Sequence, residues 1–355
     1  MLLPGPTWGL WLVHAALLEA SLGVTLVALL ALVLARRGRR ASGRDFPWTS
    51  RFALVAAAVG LLPFAAAAPL YFGSTARFSI REYVRGLEGP WARVEKDVDL
   101  GAGGLRADLY RVPGRGPAPL VVVVHGGSWQ RGDKGEAPHV SRALAGAGFV
   151  VADVQYRLAP RHRFPDAVAD VKCLVGRLRE RAAGLAVDPS RIALLGRSAG
   201  GQIALVAAYS MGDARIRPSC DVAESPVQAV VSLYAPTDLA WGHDNPLFPD
   251  PIDGPGSIET YLGGPPLAEP DAYRLASPLT WRDRPLPPTL LIHGAADRLV
   301  RAEHARRLAS GLHAAGRPLE TLLIPMADHG FDRRPGGLGE QLARAAVLRF
   351  LAGLE

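Results

Sequence analysis

The chain has 355 residues and a formal net charge of +7, enough length for one large domain with an appendage and for a sizeable core. Lys96, Lys134 and Lys172 are the only lysines, and the arginines are scattered apart from one cluster; without a basic stripe interleaved with aromatics, nucleic-acid binding is excluded as the main reading. Cys173 and Cys220 have no metal-ligand spacing and are too few for a disulfide framework; whether they pair is left open.

The N-terminal region reads as membrane. Leu10 to Ala35 is apolar apart from His14 and Glu19, and Phe52 to Phe72 is a second uncharged run of about 21 residues, the length of a span. Glu19 reads as an interface residue near a helix end. Pro63 and Pro69 are tolerable in a membrane helix, and Trp8, Trp11, Trp48 and Tyr71 sit near the ends, where amphipathic rings prefer the interface. Arg36, Arg37, Arg39, Arg40, Arg44 and Arg51 crowd the linker between the runs. Positive-inside then puts the linker in the cytoplasm and both termini outside. A cleaved signal peptide fits poorly, because the positive cluster follows the apolar stretch instead of preceding it. The expected organisation is a two-span anchor over residues 1–75, a linker over 76–93 with a helix along the membrane surface, and a catalytic domain over 94–355.

Within that domain, Val94 to Leu100 and Leu105 to Val112 alternate as strands. Leu120 to Val124 is a β-branched run of the kind buried on both faces of a sheet. Val140 to Ala147 reads as a helix, Phe149 to Val154 as a strand and Asp166 to Arg181 as a longer amphipathic helix. Ile192 to Leu195 is a strand, followed by a helix from Gln202 to Tyr209. Val227 to Tyr234, Leu290 to Ile292 and Leu319 to Ile324 are further strands, with helices at Glu303 to Ala315 and Glu340 to Leu351. This alternation predicts an α/β fold with a mostly parallel, eight-stranded sheet covered on both faces. Between Ala235 and Pro288 the pattern fails in a stretch rich in proline, glycine and aromatics. A connection of that length predicts a lid or binding loop.

The chemistry centres on Gly196-Arg197-Ser198-Ala199-Gly200-Gly201, set between a strand and a helix. In that context Gly-x-Ser-x-Gly is a nucleophile elbow, with the serine held in a strained turn between near-absent side chains. A serine hydroxyl needs a base, and the base a buried carboxylate to orient it. The order Ser, Asp, His is met by Ser198, then Asp297 after one strand, then His329 after the next. Asp328 is the rival acid and adjoins the histidine. His293 reads as structural, and His304 and His313 as solvated on a helix. An oxyanion needs fixed N–H donors, supplied here by Ala199 and by Gly126 and Gly127 of His125-Gly126-Gly127-Ser128-Trp129, with His125 as a loop anchor. Trp129 and Tyr156 are candidate substrate contacts.

Several spaced motifs carry a family resemblance: His125 to Trp129 with Gly132-Asp133-Lys134, Tyr156-Arg157-Leu158-Ala159-Pro160 with Phe164-Pro165, Asp188 to Ile192, the elbow, Ala276-Ser277-Pro278, and the loops of Asp297 and His329. Over roughly Val94 to Leu351 the chain resembles the α/β-hydrolase esterases that join the BD-FAE and hormone-sensitive-lipase-like families. The resemblance implies a serine esterase or lipase acting through an acyl-enzyme, with Ser198 as nucleophile, His329 as base and Asp297 as acid, and with no metal or cofactor. Ser128 replaces a glycine common in the lipase-like branch, and Arg197 an Asp or His. The expected partners are a small-molecule or lipid ester and the membrane, with the catalytic domain on the non-cytoplasmic side. The alternatives are an amidohydrolase of the arylformamidase or peptidase type, and a non-catalytic binding module. Substrate identity and oligomeric state are left open.

Overall fold

A computed structural model describes residues 21–42, 47–72, 76–86, 92–114 and 116–353. Two helices come first, α1 (Ser21–Ser42) and α2 (Pro47–Phe72), lying against each other. Arg51–Tyr71 is long and apolar enough to cross a membrane, the one such helix among the described residues. The earlier part of the first apolar run, with Trp8, Trp11, His14 and Glu19, lies outside the described residues, as does Arg44. A short helix, α3 (Ile80–Arg85), follows; Ser79 caps it by accepting from the Glu82 N–H.

This short helix, which the sequence leads one to expect along a membrane surface, is packed against the rest of the fold. It straps onto the catalytic domain. Tyr83 is buried, Glu82 pairs with Arg344, the Arg334 guanidinium sits 4.1 Å over the Tyr83 ring, and the Ser79 N–H donates to Gln341 Oε1 at 2.7 Å. The α2 end joins it: Tyr71 Oη donates to the Leu338 carbonyl at 2.9 Å, and Phe78 packs edge-on against Phe64 and Tyr71. Burying Tyr83 and packing the half-buried rings of Phe64, Tyr71 and Phe78 together outweighs the pull of a charged helix toward water.

The sheet runs β1 (Arg93–Ala102), β2 (Leu105–Arg111), β3 (Ala118–Val124), β4 (Val150–Val154), β5 (Val187–Arg197), β6 (Ala229–Leu233), β7 (Thr289–Gly294) and β8 (Leu319–Ile324). Its spatial order is β1-β2-β4-β3-β5-β6-β7-β8. The β1–β2 and β2–β4 pairs are antiparallel and the rest parallel. On β3, Leu120, Val122 and Val124 pack on one face, and Val121 and Val123 on the other. That alternation explains why the run is apolar without a break. The first face is covered by α5 (Asp166–Glu180) and α7 (Ala199–Tyr209), with a single turn, α6 (Ala182–Leu185), between them. The second is covered by α4 (Pro138–Ala147) and α12 (Leu338–Ala352). Val124 pairs with Gly196, Arg197 with Leu233 and Gly294 with Ile324. This register sets the loops after β3, β5, β7 and β8 on one edge of the sheet.

Between β6 and β7 the irregular stretch folds into α8 (Leu239–Asp244), α9 (Gly254–Leu262), α10 (Pro270–Ala276) and a 3₁₀ turn (Pro278–Trp281). Its Tyr261, Tyr273 and Trp281 are buried in the core. The next helix is α11 (Glu303–Ala314). Cys173 on α5 is disulfide-bonded to Cys220, settling the pairing the sequence leaves open. Their separation of 47 residues gives, by chain entropy alone, a contribution of about 4 kcal/mol.

Candidate active site

Ser198 joins β5 to α7 with φ 53 and ψ −124, a backbone region that costs a non-glycine residue about 1–3 kcal/mol. Its flanks show why the neighbours are glycines. A Cβ on Gly196 would lie 2.1 Å from the Gly200 carbonyl oxygen, and one on Gly200 2.1 Å from that of His125. The Ser198 N–H donates to the Leu233 carbonyl at 2.9 Å, tying the turn to β6. The hydroxyl is thereby raised above the sheet edge at the positive end of α7.

His329 Nε2 is 3.0 Å from Ser198 Oγ, and His329 Nδ1 is 2.8 Å from Asp297 Oδ2. These three predicted residues thus meet in one hydrogen-bonded chain. Asp297 Oδ1 accepts from the loop N–H groups of Leu299 and Val300, each at 2.8 Å, which fixes the carboxylate while Oδ2 faces His329. Burial would raise the Asp297 pKa, but the His329 charge and hydrogen bonds from His293 and His329 hold it well below the carboxylate range. Asp328 stays off the imidazole ring: its Oδ1 accepts from the backbone N–H of Arg298 and His329 and shapes the loop. His293 is structural as expected, with Nε2 2.9 Å from the Val300 carbonyl and 3.2 Å from Asp297 Oδ2.

His313 is exposed, but His304 is a correction to the sequence reading. It is 5% exposed, with Nδ1 accepting from the Thr237 N–H at 3.1 Å and its ring edge-on to Trp241. Burial pushes its pKa down to about 3. The turn into α8 covers that helix face, which periodicity alone could not reveal.

The loop after β3 brings Gly126 close enough that a Cβ there would lie 3.3 Å from the Ser198 Cβ; at Gly127, with φ +112, a Cβ would strike the Arg131 carbonyl oxygen at 2.0 Å. The amides of Gly126, Gly127 and Ala199 are not spent on backbone turns or loops. His125 is buried, with Nδ1 2.7 Å from the Gly126 carbonyl oxygen. Tyr156 is the second correction. It stacks on His125 at 4.2 Å, and its hydroxyl lies 3.1 and 3.2 Å from the carbonyl oxygens of His125 and Gly126. It is buried under the loop and lines neither cleft at Ser198, so in this structure its contacts are with the glycine loop. Trp129 does line a cleft, held by Gln202 Oε1 at 2.8 Å and by stacking on Tyr261.

Sequence reading missed an ion pair beside the nucleophile. Arg197 Nε and Nη2 donate to Asp332 at 2.7 and 3.1 Å, and the Tyr234 hydroxyl donates to Asp332 Oδ1 at 2.5 Å. Arg197 and Asp332 are both buried. The pair links the elbow to the His329 loop. The signal was an arginine at the variable position of the elbow, but its partner lies 135 residues away.

Two clefts meet at Ser198. One, of about 60 Å³, is walled by Trp129, Ala199, Pro236, Ile258, Val300 and His304, with Asn245 to Leu247 of the predicted lid. The other, of about 230 Å³, is lined by Gly126, Gly127, Arg131, Glu136, Arg197, Tyr234, His329 and Arg333. An activated serine, fixed N–H donors and two clefts are the parts needed for acyl transfer.

A profile of the family described as BD-FAE matches residues 107–312. The chain is 31% identical over 250 residues to the probable carboxylic ester hydrolase LipM of Mycobacterium tuberculosis, covering 69% of this chain and 57% of that one. It is 31% identical over 236 residues to esterase LipC of the same organism, covering 65% and 58%. The chain therefore spans less than two thirds of the length of these curated relatives. Among solved structures it resembles a hyperthermophilic esterase from the archaeon Pyrobaculum calidifontis, with TM-score 0.62 and 29% identity over 75% of this chain and 86% of that one.

Proposed function

The chain belongs to the BD-FAE family, and from that premise we propose that it is a serine hydrolase of carboxylic esters, held at a membrane by its N-terminal helices. One observation carries the catalytic reading: the continuous run of hydrogen bonds from Ser198 through His329 to Asp297, beside the uncommitted amides of the glycine loop. In the proposed cycle His329 Nε2 takes the Ser198 proton as Oγ bonds to the acyl carbon. The carbonyl electrons move to an oxyanion held by the N–H groups of Ala199, Gly126 and Gly127. Its collapse breaks the ester bond, and the leaving oxygen takes the proton from His329 and departs as an alcohol. Water then gives a proton to His329 and attacks the acyl carbon. The second collapse releases the acid and restores Ser198.

The close walls of the smaller cleft, Trp129, Ile258, Val300 and His304 beside Ser198, support a short acyl group. Detergent-solubilised protein assayed on p-nitrophenyl esters from acetyl to dodecanoyl is expected to peak between acetyl and butanoyl, and a serine-directed phosphonate to label Ser198. A peak at dodecanoyl would overturn the acyl assignment. Absence of both labelling and turnover would overturn the esterase reading itself.

Apolar side chains exposed on α1 and α2, among them Leu26, Val27, Leu30, Phe52, Val55 and Val59, support contact with lipid. The arginine-rich linker supports a cytoplasmic turn, with the catalytic domain on the opposite side. The Cys173–Cys220 bond fits an oxidising compartment there. Protein taken from membranes without reductant is expected to resist thiol alkylation at both cysteines. Alkylation of both in unreduced, denatured protein would argue for a cytoplasmic domain.

A further inference from the structure

The two clefts at Ser198 differ in charge and in their access to the base. His329 lines the larger cleft and is absent from the smaller. In the proposed cycle His329 hands its proton to the departing oxygen, so the alcohol portion of the ester lies on the His329 side. That cleft is lined by three arginines and a single carboxylate, Glu136. Arg197 is committed to Asp332, and Glu136 stands 4.0 Å from Arg197. The other two arginines, Arg131 and Arg333, are exposed, and neither has an ion-pair partner among the described residues.

Their placement follows from the catalytic loops. The Arg131 N–H bonds to the Gly127 carbonyl at 3.1 Å, which fixes it to the oxyanion loop. The Arg333 N–H bonds to the Gly330 carbonyl at 2.9 Å, and its side chain is laid against Gly330, the residue after His329. Arg131 and Arg333 thus bring two guanidiniums from two different loops to the lining of the leaving-group cleft, against the single carboxylate of Glu136, a balance that favours an anion.

We propose that the alcohol portion of the natural ester carries an anionic group, a carboxylate or phosphate, held by Arg131 and Arg333 while the compact acyl group occupies the smaller cleft. This rests on the esterase reading, and its failure is separable from failure of that reading. The test compares 4-acetoxybenzoate with methyl 4-acetoxybenzoate, two acetyl esters that differ by one negative charge. The measured quantity is the ratio of their kcat/KM values, in full-length wild type and in Arg131→Gln/Arg333→Gln. The ratio is expected to fall about tenfold in the double variant, and 1 M salt is expected to lower it in wild type through screening. An unchanged ratio, or an equal loss on both esters, would overturn the proposal. If neither ester shows phosphonate-sensitive turnover, the esterase reading is what fails. Comparing acetylglycerol phosphate in solution with 2-O-acetyl lysophosphatidic acid in phosphatidylcholine vesicles identifies the source of a phosphate. The substrate losing more in the double variant tells whether it is a free phosphate or a lipid headgroup.

Discussion

Replacing Ser198 with alanine is expected to lower kcat on p-nitrophenyl acetate by about 10⁵-fold, with little change in thermal unfolding. The size of the effect follows from how much the site invests in one oxygen. The strained backbone at Ser198, the His329 contact at 3.0 Å and the Asp297 contact behind it all act through Oγ. Without that atom no acyl-enzyme forms, and His329 has no proton to shuttle. The glycine loop and clefts would still bind ester, so KM should move far less than kcat. Steady-state kinetics on the purified protein checks this, with thermal unfolding followed by ultraviolet circular dichroism as the folding control. A variant keeping more than about one hundredth of wild-type turnover would contradict a serine nucleophile.

Removing the Asp332 carboxylate is expected to be the most damaging single change to stability. In Asp332→Ala the Arg197 guanidinium stays buried and loses its principal partner, leaving the neutral Tyr234 hydroxyl at 3.0 Å and Glu136 at 4.0 Å. Breaking one side of a buried pair costs about 3–5 kcal/mol, read as a shift in the denaturant midpoint. Replacing both partners, as Arg197→Met with Asp332→Leu, should recover most of that loss, because no charge is then stranded. The pH dependence has a definite sign. Burial opposes ionisation of Asp332, but the Arg197 charge and hydrogen bond hold its pKa below the ordinary value. The pair's contribution is therefore complete above the ordinary carboxylate range and is lost as pH falls through the lowered folded value.

The triad was legible because its logic is linear: a Gly-x-Ser-x-Gly turn and two later strand-end loops, in the order Ser, Asp, His. The sheet was legible because Leu120 to Val124 and its counterparts are unbroken apolar runs. Features that depend on distant contacts were not. Arg197 reads as a bare departure from a motif until Asp332 is folded against it. Tyr156 reads as a candidate substrate contact because an aromatic ring there suits an apolar or aromatic substrate moiety, yet its hydroxyl faces the carbonyls of His125 and Gly126. His304 reads as solvated because helical spacing reports a face, not what covers it. The helices between Ala235 and Pro288 are short and begin at or near prolines, so no period has room to build.

The strap formed by α3 also bears on where the polypeptide tolerates a cut. Phe78 and Tyr83 belong to the apolar cluster on the α12 side of the sheet, and Glu82 and Ser79 engage Arg344 and Gln341 of α12. A domain released upstream of Ala76 would carry its own belt, buckled across the segment that follows His329. One released downstream of Gly86 would bear a greasy scar there and be prone to self-association. A trimmed form of this domain, natural or engineered, therefore keeps that cover when its cut falls upstream of Ala76.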